Sequence, residues 1–166
     1  MINSITNANV YINGTTLAGK LNEVELPSVK IKTQEVTALG IYGTTEIPAG
    51  LEKMEAKLKF NAIYPEAWKH ENPHKSCAII VKSNMAVNTA AGVTLNTPVV
   101  ANISGLFKEM PVGSIKSGER TEAEHLLTVT YYKLQVGAEV IWEIDIYNNI
   151  YKHNGVDILQ SFNANQ

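Results

Sequence analysis

His70, His74 and Cys77 follow one another at short intervals, with Glu66 and Glu71 beside them. Imidazole, thiolate and carboxylate are the ligands that zinc takes. Two histidines four apart serve a metal when they share one face of a helix, and Pro73 between them breaks such a face. A solvated loop between a helix and a strand is the plainer assignment. Cys77 also has a histidine near enough for a nucleophile and base pair. It opens the apolar run Ala78-Ile79-Ile80-Val81, however, and reads better as a small buried hydrophobe. Glu122 and Glu124 share one face of a predicted strand, as an acid–base couple would, but no pocket residues converge with them. The glycines of GIYGTT lack the following Lys and helix of a phosphate loop. Trp68, Trp142 and seven tyrosines would suit a sugar-binding β-sandwich only if they lined an exposed groove. Trp142 falls on the apolar face of its strand, and Trp68 sits on a short helix as a packing anchor or an outer contact. Acid, base and nucleophile nowhere converge. The chain is read as a non-enzyme with no catalytic residue, no metal ligand and no cofactor site.

The elements that must position these residues are mostly strands. Between residues 52 and 62, Met54, Ala56, Leu58, Phe60 and Ala62 alternate with Lys53, Glu55, Lys57, Lys59 and Asn61. One apolar face and one charged face at period two describe a half-buried antiparallel strand. Val140, Trp142, Ile144 and Ile146 repeat the pattern near the C-terminus, after a run at 126–136 rich in Thr, Val, Tyr and Leu. Gly137-Ala138 joins these two runs as a type II′ turn, and Asn13-Gly14 joins 9–12 to 15–17 as a type I′ turn. Further strands are expected at 22–25, 29–36, 78–87 and 99–108. Helix signals are few. Tyr64-Pro65-Glu66-Ala67-Trp68-Lys69 has Pro in a first turn, and residues 155–162 suit a short final turn of helix packing Val156, Leu159 and Phe162. The expected fold is mainly β, two packed antiparallel sheets close to a barrel, with one short flanking α-helix. All 166 residues form one domain.

Composition narrows the function further. Hydrophobic residues make up 45% of the chain and charged residues 18%, against roughly a quarter in ordinary globular domains. Fewer charges suit a protein whose free surface is reduced by neighbours. The formal net charge is −2 and the single Arg is Arg120, so no basic patch exists to grip nucleic acid. One cysteine fits a reducing cytoplasm. The opening MINSITNANVYING lacks the basic start and apolar core of a signal peptide. Residues 83–107 carry no charge, but Asn84, Asn88, Gly92, Asn96, Pro98 and Asn102 interrupt them too often for a membrane span. Strands and loops shielded by neighbouring subunits account for them better.

Residues 36–50, VTALGIYGTTEIPAG, hold three glycines and one charge, Glu46. Leu39, Ile41, Tyr42 and Ile47 are too apolar for an ordinary solvent loop. The segment either folds back over its own core or is an arm lying on a neighbouring subunit. Its glycines permit the sharp turns an arm needs.

Three blocks resemble the major tail tube protein family of contractile-tailed phages and R-type pyocins. NVYINGTTLAGKLNEVEL with Pro27 is similar to the family's opening hairpin and next strand. EIPAGLEKMEAKLKF resembles the stretch in which a Pro-x-Gly-Leu-Glu run enters a long strand. LTVTYYKLQVGAEVIWEIDIYNNIYKHNGVD resembles the closing hairpin and the Asn-Gly-Val-Asp tail motif. The blocks stand in the family's order and, with the segments between them, span nearly the whole chain. The middle, about residues 70–98, departs most from the pattern.

The resemblance implies a structural subunit that assembles as hexameric rings stacked into a tube, with a central channel for DNA passage or membrane puncture. Its partners would be copies of itself, a tail sheath protein, and baseplate and tube terminator proteins, with DNA passing transiently and without specific binding. It would lie in the tail of a virion or bacteriocin particle assembled in the bacterial cytoplasm. A headless pyocin-like particle is the related alternative, and a monomeric β-sandwich carbohydrate-binding module a more distant one. Within residues 36–50, Thr37, Ala38, Leu39, Gly40, Ile41, Tyr42 and Gly43 would bridge to an adjacent subunit. The strands around 51–61 and 126–135 would form the inner sheets, with Lys53, Glu55, Lys57 and Lys59 as candidate lumen-facing residues and Glu122 and Glu124 as a solvated or lumen-facing pair.

Overall fold

The computed structural model describes residues 2–166, with the backbone alone at 94–96. It is mainly β, as expected. In chain order the strands are β1 (Ile2–Ile12), β2 (Thr15–Thr16), β3 (Leu21–Glu25), β4 (Ile31–Val36), β5 (Thr45–Leu51) and β6 (Met54–Phe60). There follow α1 (Pro65–Trp68), β7 (Cys77–Thr89), β8 (Gly92–Glu109), β9 (Ala123–Val136), β10 (Glu139–Asp145), β11 (Ile150–His153), β12 (Val156–Asp157) and α2 (Gln160–Asn163).

Ten strands form one antiparallel sheet, and β4 and β5 form a second of their own. The large sheet branches at β9. One edge of β9 pairs with β8, from Leu126↔Glu109 to Val136↔Val99. The other edge serves β6 along 123–129 and β10 along 131–136. Strand β3 adds to β6, and β11 and β12 add to β10. The sheet curls into a barrel-like body that does not close. Gly105 allows the curl at the β8 bulge, because a Cβ there would lie 1.9 Å from the carbonyl oxygen of Thr128.

Period two delivers the core. Met54, Ala56, Leu58 and Phe60 of β6 are buried, as are Ala123, His125, Leu127 and Val129 of β9. They meet Ile12, Ile79, Ile103, Phe107 and Ile144 from the other strands. Each full burial of a Leu-sized side chain is worth about 1.5–3 kcal/mol. The turns follow their residues. Asn13 and Gly14 both have positive φ, as a type I′ turn requires, whereas at 137–138 only Gly137 does.

Four readings change. Strands β1, β7 and β8 run well beyond the expected ranges. Ile146 lies outside β10 and is exposed, because the chain turns after Asp145, whose Oδ1 accepts from Tyr147 N and Asn148 N. In the last turn only Leu159 packs on the core, while Val156 and Phe162 face solvent. Residues 45–51 are a strand despite Pro48 and Gly50.

One buried polar contact holds the long connections to this body. Nδ1 of His125 lies 2.5 Å from Oε2 of Glu71, and Nε2 lies 3.0 Å from the carbonyl oxygen of Pro111. Both ring nitrogens thus face oxygens, and the imidazole is held from two sides. The rings of Phe60 and Trp68 cover it at 4.9 and 5.0 Å. The second Glu71 oxygen is buried without a hydrogen-bond partner, which makes the pair an incomplete one. Breaking such a pair from one side leaves a buried polar partner stranded, whereas apolar replacement of both members is often neutral. His125→Leu is therefore expected to lose about 3–5 kcal/mol of unfolding free energy in urea titration, and His125→Leu with Glu71→Leu to regain most of it. Equal losses in the two variants would contradict this account.

Candidate functional site

The residues with chemical potential are not gathered into a reactive centre. His70 Nε2 lies 3.3 Å from Thr15 Oγ1, and His74 is exposed in the loop after α1. Cys77 begins β7 in the core, where burial, and then the Glu71 carboxylate, push its thiol up to about 11. Among the described residues, no three His, Cys, Asp or Glu side chains stand close enough together to hold a metal. Glu122 accepts a bond from Asn22 Nδ2, and Glu124 pairs with lysines. The tryptophans do not line a common groove. Trp68 packs under Phe60 and His125, and Trp142 stacks on His153 with ring centres 4.0 Å apart.

Two surfaces are distinctive. The first is the β4–β5 hairpin. Its strands pair from Ile31↔Leu51 to Val36↔Thr45 and, among the described residues, bond to no other strand. Residues 37–44 form its tip, which holds Thr37, Ala38, Leu39, Gly40, Ile41, Tyr42 and Gly43. A bond from Ile41 N to Ala38 O at 3.2 Å closes a turn there, with Gly40 and Gly43 at φ +87° and +132°. Leu39 and Tyr42 are fully exposed, Ile41 is 60% exposed and Ile47 45%. The segment stands off its own core. A short ribbon cannot bury either face by itself, so this apolar tip lacks the cover that its composition asks for.

The second surface is the charged face of β3, β6, β9 and β8. Cross-strand register sets Glu23 opposite Lys59, Glu25 opposite Lys57 and Lys59 opposite Glu124. Lys59 Nζ lies 2.7 Å from Glu23 and 4.0 Å from Glu124. Lys57 Nζ lies 3.4 Å from Glu124 and 3.6 Å from Glu25. Glu55 accepts from Lys108 at 2.9 Å and from Lys53 at 3.0 Å. Lys53, Glu55, Lys57 and Lys59 therefore belong to one ladder. Lys53 lies just before β6 and the other three within it.

The pairing favours the charged forms of Lys57, Lys59 and Glu55. Glu124, and then Glu25, raise the Lys57 amine, while the hydrogen bond to Glu23 raises Lys59. The bonds from Lys108 and then Lys53 lower the Glu55 carboxyl. Exposed pairs of this kind contribute little to stability, because water and salt screen them. Their main effect is to leave each lysine of the ladder with a carboxylate at hand. The alternation made this face readable in β6, but its partners on β3, β8 and β9 come from pairing that a single strand does not reveal.

With the geometry in place, comparison with known proteins is informative. The model of the family described as phage tail tube protein FII matches residues 2–165. The chain is 27% identical over 161 residues to the tail tube protein of Escherichia phage P2, covering 95% of this chain and 92% of that one. It is likewise 27% identical over 151 residues to the major tail tube protein of Serratia phage KSP20, covering 90% and 86%. In fold it is similar to a chain of the extended sheath-tube complex of an extracellular contractile injection system, with a TM-score of 0.56 at 14% identity over 78% of this chain and 88% of that one. At that identity the likeness speaks for the fold alone.

Two outcomes test the site. Glu124→Gln combined with Glu23→Gln removes both carboxylates of Lys59 and one of Lys57. This variant should be retained on heparin at low salt, elute as salt screens it, and contrast with an unretained parent. Equal elution of the two would mean that the pairing does not govern polyanion affinity. Because the Cys77 thiol is raised to about 11, little thiolate forms at mildly alkaline pH. Alkylation of the folded chain should be far slower than that of the urea-unfolded chain.

Proposed function

The chain belongs to the phage tail tube protein FII family, and from that membership we propose that it polymerises as hexameric rings stacked into the tube of a contractile tail. It acts as a structural subunit. The family and the relatives carry the tail tube assignment; the ring, the stacking and the contacts are our reading of the surfaces.

In this reading the tip of the β4–β5 hairpin, residues 37–43, lies on an adjacent subunit. The supporting observation is full exposure of Leu39 and Tyr42 in a segment whose only charge, Glu46, lies outside the tip. Covering such side chains releases ordered water at about 25 cal/mol per Å², and a copy of the chain is always present at the needed concentration. The charged ladder faces the channel. A wall whose lysines are already engaged gives a passing polyanion little to hold, which suits DNA passage and equally suits an empty tube that punctures a membrane. The outer surface meets a tail sheath protein, and the tube ends meet baseplate and terminator proteins. The site of action is the tail of a virion or of a headless, pyocin-like particle.

The hairpin tests this reading. Leu39→Ser with Tyr42→Ser should leave the melting temperature of the dilute chain within a degree or two, since neither side chain touches the body. The same variant should lose pelletable polymer and stacked rings in negative stain. If it forms tubes as readily as the parent, the hairpin is not the joint.

A further inference from the structure

Two turns of this chain are built from the same dipeptide. Asn13-Gly14 joins β1 to β2, and Asn154-Gly155 joins β11 to β12. Both residues have positive φ in each turn, +46° and +84° in the first and +49° and +78° in the second. In each, the asparagine N–H is held by a neighbouring strand. Asn13 N donates to Ala78 O at 2.8 Å, and Asn154 N donates to Ile141 O at 2.9 Å. Backbone geometry therefore does not tell the two turns apart. Their side chains do.

Asn13 Oδ1 accepts from Ala78 N at 3.0 Å, which ties the side-chain amide to β7. Asn154 is exposed and borders a shallow open cavity with Glu139 and Val140. Its side-chain hydrogen bond runs from Nδ2 to His153 Nε2 at 3.3 Å. His153 is fixed in turn. Its Nδ1 donates to Ile141 O at 3.1 Å, and its ring stacks on Trp142 with centres 4.0 Å apart. A carbonyl can only accept, so Nδ1 carries a hydrogen and Nε2 is the nitrogen turned toward the amide. An imidazole nitrogen thus sits beside the atom of Asn154 that leaves in a deamidation. Attack on that amide needs the turn to open for a moment. β12 is the last strand of the sheet and holds to β11 alone, so opening is easiest at such an edge.

We propose that Asn154-Gly155 is a self-modification site of the folded chain, where the Gly155 nitrogen attacks the Asn154 side-chain amide beside His153 and expels ammonia. The bond that forms joins Gly155 N to Asn154 Cγ, and the bond that breaks is Cγ–Nδ2. Gly155 N gives up its proton, and the His153 imidazole relays one to the departing nitrogen. Water then opens the cyclic imide at either carbonyl, giving aspartate or isoaspartate. No electrons change hands, and water is the one co-reactant. Either product sets a carboxylate in the cavity that Glu139 borders. Isoaspartate also lengthens the main chain within a turn that β11 and β12 close through Lys152↔Asp157 and His153↔Val156. This chemistry belongs to the single chain and does not depend on the tube reading.

Incubation of the full chain at neutral pH, followed by peptide mapping with mass spectrometry, reads both turns in one sample. Asn154 should convert to aspartate and isoaspartate severalfold faster than Asn13. In guanidinium chloride both become plain Asn-Gly steps, and the difference should largely close. His153→Phe keeps a ring to stack on Trp142 and removes the nitrogen. That variant should slow conversion at Asn154 severalfold, while an unchanged rate at Asn13 reports that the fold is intact. Equal rates in the folded chain, no conversion at Asn154, or a gap that persists after unfolding would overturn the site. Conversion of the His153→Phe chain at the parental rate or faster would overturn the part given to His153.

Discussion

Strand β9 has to satisfy two partners along one edge, and the rest of the architecture follows from how it does so. From Ala123 to Val129 that edge bonds β6, and from Tyr131 onward it bonds β10. The handover falls at Thr130, whose carbonyl accepts from Ile146 N at 3.0 Å. Two wings leaving one strand must diverge, so the sheet folds over its own apolar face and traps Phe60, Leu127 and Phe107 between layers. The same divergence prevents the sheet from closing within one chain. β1 and β3 come to face each other over a groove without the hydrogen bonds that would seal a barrel.

Period two along β9 also separates its two titratable neighbours. Glu124 points outward, where Lys57 and Lys59 share it, while His125 points inward, against Glu71 and under Trp68. Adjacent residues thus serve opposite purposes. One keeps a surface electrically quiet, and the other anchors the connections after α1 and before β9 to the core. A slip of one residue in the β6–β9 register would exchange them, placing a carboxylate in the core and an imidazole among lysines. Both misplacements are costly, so the charged residues reinforce the register that the apolar ones set.

Much of this was legible in the sequence, for identifiable reasons. β6 announced itself because one face is buried and the other wet, and the Asn13-Gly14 and Gly137-Ala138 turns because few other residues tolerate their backbone angles. Of the hairpin at 31–51, the first strand was legible within 29–36 and the apolar character of 36–50 was plain, but the second strand, β5, was not. A ribbon exposed on both faces has no alternation to display, and Pro48 and Gly50 argue locally for a loop. β11 and β12 are too short to carry a pattern. The His125–Glu71 contact was illegible because it joins residues 54 apart across a pairing that the chain does not spell out. Glu71 stands beside the histidines in the sequence, whereas its partner His125 lies on β9. The ladder was half legible: Lys53, Glu55, Lys57 and Lys59 stand along one stretch of chain, while Glu23, Glu25, Lys108 and Glu124 come from other strands.

Charge distribution then links fold to assembly. The charges of this chain stand on the ladder, on the loops and along β4, β5, β10 and β11, and are withheld from the hairpin tip and from residues 2–9 and 83–98. For a solitary protein that arrangement is backward, because the projecting parts are the ones water touches most and the ones that most need charge to stay apart. A subunit that meets copies of itself faces the opposite requirement. Its projections must lose water without stranding charge, while a face left open to water can keep its ions provided they neutralise one another. A sheet left open on itself, with apolar projections and a self-neutralised open face, suits the proposed reading in which another copy of the same chain supplies the unmet bonding.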